Sequence, residues 1–221
     1  ITPNRPDAFS HQGVARDIAC KMNRVFRPLV VGNIDVNDNQ SLQISMESSD
    51  DCPRYIGGIV KNVTVGPSPE WMVEKLKASG QRSINNVVDI SNYVLMEIGY
   101  PTHIFDFNTL AENKIFVRRA KNGETITTID ENKQKLNDGN LLITDGKTPV
   151  ALAGIMGGLD SAVTDKTTEV LVESAYFDPI VTRRSAKHLQ MSTDASKRYE
   201  RGVDPNSAEK AFHRVVSLLI E

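Results

Sequence analysis

The chain carries only two cysteines, one tryptophan and four histidines, and it has no long apolar run. Cys20 and Cys52 lack paired spacing, which argues against a disulfide framework or a zinc ribbon and makes reduced cytoplasm the expected location. His11, His103, His188 and His213 are scattered without metal-ligand spacing, so no metal site is expected. No stretch approaches the roughly 18 apolar residues of a membrane span, so no membrane partner is expected. Charge of one sign is also missing. Twenty-six basic residues against 28 acidic ones give a net charge of −2, whereas a general nucleic-acid-coating protein is basic overall. DNA is therefore not an expected partner, and any RNA contact must come from a local patch. There is no P-loop, no G-x-S-x-G elbow, no H-E-x-x-H, no internal repeat and no low-complexity segment.

What remains is 221 residues, 39% hydrophobic and 24% charged, the composition of an ordinary globular chain large enough to bury a full core. The start, ITPNRPDAF, has neither an initiator Met nor a signal pattern, and the end, SAEKAFHRVVSLLIE, stops inside an amphipathic helix with Ala211, Val215, Leu218 and Leu219 on one side. Both ends read as cut points in something longer.

The spacing predicts a helix from a Ser10 cap to about Arg24, with Val14, Ile18 and Met22 as its apolar stripe. Residues 28–51 read as turns and hold the main domain boundary. RYIGGIVKNVTV reads as β; Ser68 then caps a helix opened by Pro69 and closed by Gly80. NNVVDISNYVLMEIG is a largely buried helix ended by Gly99, with His103 in the loop that follows. From Ile115 to Thr144 the text is β, with turns at Glu131-Asn132 and Asp145-Gly146. VALAGIMGG is a strand entering a side-chain-poor loop, EVLVESA a strand, and Asp178-Pro179 the start of a helix to about Leu189. Without regular βαβ alternation, the expected class is α+β, with mixed, mostly antiparallel sheets flanked by helices. Trp71, Phe105 and Phe107 read as core aromatics.

Several polar residues sit in apolar, glycine-broken text, and each has a plain structural explanation beside a functional one. His103 is placed to line a cleft, and satisfaction by local backbone accounts for it equally well. Asn92, a poor helix former in an apolar helix, asks for a reason that a bond to a neighbouring loop would supply. Alternation puts Glu173 on the face of Leu171, and an edge strand is the usual explanation for a carboxylate so placed. Ala153, Gly154, Gly157 and Gly158 would let a ligand approach bare backbone, though such glycines more often serve turns. Arg183, Arg184, Lys187, Lys197, Arg198 and Arg201 form a modest phosphate-facing candidate, with a solvated helix face as the ordinary alternative.

Taken in order, the segments TPNRPDAFSHQGVARDIA, CPRYIGGIVKNVTVGPSPEWM, RSINNVVDISNYVLMEIGYPTHIFDF, ALAGIMGG, VESAYFDP and TDASKRYERGVDP resemble those of the bacterial phenylalanyl-tRNA synthetase β subunit, in the region of its editing domain. The resemblance is weakest at 28–50 and 121–140. Its departures are Ser91 for Thr, Tyr100 for Gln, and Thr102 and Ile104 beside the histidine, which bear on the pocket wall. It implies a division into a tail of the preceding domain at 1–38, the tRNA-deacylating domain at 39–205 and the start of an onward helix at 206–221. It further implies hydrolysis of tyrosine misattached to phenylalanine tRNA. By matching position, His103, Asn92 and Thr193 would hold the ester and a water. Glu173, Gly154 and Ala195, with the backbone of the adjoining Ala153, would receive the amino acid; the basic patch read from charge, Arg183, Arg184, Lys187 and Arg198, is the candidate for the tRNA. The parent enzyme would use ATP and Mg²⁺ through elements outside this sequence, and would pair with α subunits as two α and two β. A structural or tRNA-docking module, or an amino-acid sensor without turnover, are the alternatives.

Overall fold

The computed structural model describes residues 1–32, 34 and 42–221. Its framework is two sheets face to face. The smaller has three antiparallel strands, β2 (Arg54–Lys61), β10 (Glu169–Tyr176) and β3 (His103–Asp106), with β10 in the centre. The larger runs β1 (Gln43–Met46), β4 (Lys114–Arg119), β7 (Leu141–Thr144), β8 (Pro149–Leu152) and β9 (Met156–Gly157). It is antiparallel except where β1 pairs parallel with β4. A hairpin of β5 (Thr125–Thr127) and β6 (Lys133–Lys135) forms a third sheet that packs on β8 through Ile126.

Side-chain alternation along β10 assigns the layers. Leu171 and Ala175 face the larger sheet and share a core with Phe105, Ile115, Val117, Ile143 and Ala151. Val170 and Val172 point the other way, into a core built with helices α2 (Glu70–Ala78), α3 (Asn86–Ile98) and α6 (Ser207–Ile220), where Met72, Leu76, Val94, Ala211 and Val215 are all buried. Helix α6 thus packs on the sheet. On the outer side of the larger sheet, α4 (Pro179–Leu189) adds Ala186 to a third cluster with Leu142 and Leu152. The result is the α+β class expected, in layers of helix, sheet, sheet and helix.

Most element boundaries follow from local chemistry. Ser10 accepts a hydrogen bond from Gly13 N and opens α1 (His11–Lys21). Asp178 caps α4 through Ile180 N and Val181 N, with Pro179 in the first turn. Asn85 caps α3, which ends at Gly99.

Four expectations need correction. Ser68 does not cap α2: its hydroxyl donates to Asp89, which also accepts from Ser83 Oγ and Ile84 N, because a fully buried carboxylate gathers every donor in reach. Trp71 is 40% exposed, not core; it stacks edge-on against Tyr93 under Lys75. The stripe Val14, Ile18, Met22 exists on α1 but is exposed. His103 opens strand β3 instead of sitting in a loop. The expected division at 38/39 lies outside the described residues.

Candidate functional site

The recess between the two sheets gathers side chains from both. The smaller sheet contributes His103 and Glu173, neighbours across the β3–β10 pair. The larger contributes Ile143, Ala151, Leu152, Met156 and Gly157, and the turn between β8 and β9 adds Gly154 and Ile155. Pro101 and Thr102 form one rim; Ala195 and Tyr199 from α5 (Asp194–Tyr199) form another. The recess is partly open to solvent and offers about 60 Å³, room for a few waters.

Glu173 is the unusual member. It lies on the central strand, not at an edge, and is only 4% exposed. Oε2 accepts a 2.7 Å hydrogen bond from Tyr55 Oη, and among the described residues no donor reaches Oε1. Burial pushes its carboxyl up to about 7, and the Tyr55 hydroxyl only partly offsets this. Its neighbours do not ionise near neutrality: burial raises Tyr55 and Tyr199 well above the usual phenol range and the Cys52 thiol to about 12.

His103 completes the pair. It is half-buried, and its ring packs edge-on against Phe105 at 4.4 Å between centroids. Burial lowers it to about 4, so it is neutral at physiological pH, and the buried Nε2 has no hydrogen-bond partner among the described residues. An orphaned ring nitrogen beside a half-satisfied carboxylate is what a site for a polar ligand presents.

The glycines prove to serve the protein's own side chains. Gly154 has φ +69°, and a Cβ there would meet Phe177 and Tyr199 at 3.1 Å. At Gly157 a Cβ would run into Cε1 and Nε2 of His103, so that edge of the imidazole packs close on bare backbone.

The remaining expected residues stand in the supporting structure. Ala153 is buried beside Gly154, outside the lining. Thr193 caps α5 through Ser196 N and donates to Ile155 O at 2.9 Å, holding the β8–β9 turn. Asn92 is half-buried on α3 and does not line the recess; its neighbour Ser91 donates to Thr102 O on the rim. Arg183, Arg184 and Lys187 are exposed on α4 with no ion-pair partner among the described residues. Arg198 departs from that group. It is 5% exposed and donates to Phe9 O and Asp194 O, an internal tie instead of a free surface cation.

Sequence reasoning missed Tyr55 and Tyr199. Tyr199 Oη reaches Pro101 O and Ala175 O, and Tyr100 Oη reaches the same Ala175 O, bracing the strand beneath Glu173. The sequence carries no signal for Tyr55, since the partners are 118 residues apart. Among the described residues no cluster of three or more His, Cys, Asp or Glu is placed to hold a metal, and no helix is long and apolar enough to cross a membrane.

An α+β module with a carboxylate–imidazole recess between its sheets is the class this geometry defines. Residues 51–221 match the family described as the B3/4 domain, and the chain belongs to that family. Over its whole length it is 43% identical to the phenylalanine–tRNA ligase beta subunit of Syntrophotalea carbinolica and 46% identical to that of Geobacter metallireducens. It is also 45% identical, over 99% of its length, to that of Thermotoga maritima. The chain spans 28% of the length of each of these relatives.

Proposed function

We propose that this chain hydrolyses the ester joining tyrosine to phenylalanine tRNA, within a longer protein that takes part in charging that tRNA. The observation that carries the reading is the half-satisfied, buried carboxylate of Glu173 in an otherwise apolar recess. Tyrosine is phenylalanine plus one hydroxyl. An apolar synthetic pocket rejects an added hydroxyl by only about 10²-fold, which leaves an error for a second site to remove. In the recess the tyrosine hydroxyl donates to Glu173 Oε1. Phenylalanine leaves that oxygen buried without a donor, at a cost of about 1–3 kcal/mol. A ring must displace the water and shift part of the wall, and Met156 is the adaptable side chain there.

The chemistry asks little of the protein. An aminoacyl ester is activated, so fixing a water against its carbonyl suffices; water adds, and the ribose hydroxyl leaves with a proton. His103 is too weakly basic to be a strong general base; its unpartnered Nε2 lies against Gly157, so holding the water or the ester through it requires the β9 backbone to give way. Ala195 and Gly154 bound the ring, while Thr193 and the α3 segment around Asn92 steady the walls. The exposed cations Arg183, Arg184 and Lys187 lie on the helix that packs behind the β8–β9 turn, where they can meet the phosphates of an arriving tRNA end. The longer protein would pair with α subunits and draw ATP and Mg²⁺ to elements outside this sequence.

Deacylation of tyrosyl- and phenylalanyl-tRNA by this chain, and by the assembled synthetase, tests the reading. The Glu173→Ala variant is expected to lose about 10–100-fold of the preference for the tyrosyl ester. An unchanged preference would remove Glu173 from recognition, and no deacylation by either form would remove the activity.

A further inference from the structure

The residue directly opposite Glu173 on β2 is Gly57, which has no side chain to offer. The next position on the same face is Tyr55, paired with Ala175 and therefore diagonal to Glu173, within the reach of an aromatic side chain. Its hydroxyl closes that gap at 2.7 Å and takes Oε2. From the other elements around the carboxyl come His103 on β3, Tyr199 on α5 and Cys52, and none of them hydrogen-bonds it. Among the described residues Tyr55 is thus the single group that fixes which carboxylate oxygen faces inward and which faces the recess.

Resting on the function proposed above, we infer that Tyr55 is a specificity-determining positioning residue, whose hydroxyl occupies one oxygen of Glu173 and so presents the other to the hydroxyl of the amino acid being tested. Two features support this. Tyr55 stays protonated far above neutrality, so whenever Glu173 is ionised the bond runs from phenol to carboxylate. It also opposes the effect of burial on Glu173, favouring the acceptor form that a substrate hydroxyl can donate to. Without it the carboxyl would turn either oxygen to the recess and take up its proton more readily.

The test is Tyr55→Phe, which keeps the ring and removes only the donor. The ratio of tyrosyl to phenylalanyl deacylation is expected to fall roughly tenfold, the size of one hydrogen bond to a charged group. The pH midpoint of that ratio should move upward, opposite to the downward shift that general loosening would give by readmitting water to the buried carboxyl. In a Glu173→Gln background, Tyr55→Phe should cost no further discrimination, because both changes act through one carboxyl. An unchanged ratio with an unmoved midpoint overturns the inference, as does full additivity of the two substitutions. If Tyr55→Phe fails to fold, Tyr55→Leu replaces it, which also removes the donor, with the same midpoint and additivity deciding the matter. Failure of the wild-type chain to deacylate either ester would instead sink the editing function itself. In that case the midpoint is read from the Glu173 carboxyl carbon by NMR, where Tyr55→Phe must still raise it.

Discussion

The two faces of β10 bury polar groups on opposite terms. On the helix side, Ser174 sits among valines and donates to Ala208 O of α6 at 2.7 Å, and the account is closed. On the side facing the larger sheet, Glu173 is buried nearly as deeply but holds one partner for two oxygens. The same strand therefore carries a finished core on one face and an unfinished one on the other. An unfilled acceptor on Glu173 and an unpartnered ring nitrogen on His103, its neighbour across the sheet, set this face apart from the closed one.

That contrast can be broken most severely by moving the carboxylate across the strand. Val172→Asp places a charge in the closed helix-side core with no donor waiting, and should cost about 3–5 kcal/mol, read by chemical denaturation. Survival of that variant with near-native stability would mean the two faces do not differ as described.

A smaller effect sharpens the comparison through pH. The Glu173 carboxyl is raised from 4.5 to about 7, so the stability it contributes is present below pH 4.5 and is lost as pH rises through 7. His103 is lowered from 6.5 to about 4, so its contribution is present above pH 6.5 and is lost as pH falls through 4. Between those ranges the two slopes oppose each other and the net dependence is shallow. Glu173→Gln removes one of them. Its stability relative to wild type should grow by on the order of 1–3 kcal/mol from pH 5 to pH 8, measured by denaturation at each pH. A constant difference would show that burial does not hold the proton on Glu173. Smaller again is Gly157→Ala, whose new methyl must push the imidazole away. A loss of about 1–3 kcal/mol with shifted His103 ring resonances is expected, and unchanged resonances would contradict the close approach.

Much of the framework was legible in the sequence, because it rests on local chemistry. Asp178-Pro179, Ser10 and the periodicity of residues 86–98 each specify their element within a few residues. What was not legible depends on distance. Alternation placed Glu173 on the Leu171 face but could not tell a central strand from an edge, since that depends on β2 and β3, far away in the chain. Strand β3 has four residues, and α5 has six with no apolar period, too short for either signal to rise above its surroundings. Ser68 was assigned to the wrong partner because Asp89, twenty-one residues on, competes for its hydroxyl. The candidate residues His103, Glu173, Gly154 and Ala195 do meet around one recess, whereas Asn92, Ala153 and Thr193 stand behind it.

The carbonyl of Ala175, clasped at once by the hydroxyls of Tyr100 and Tyr199, ties the floor of the recess to the loop after α3 and to α5. Amide protons along the middle of that strand should therefore exchange with solvent only when the entire domain opens. The part of the protein that must accommodate a guest is then the roof, not the floor, and adaptability and permanence are divided between the two sheets.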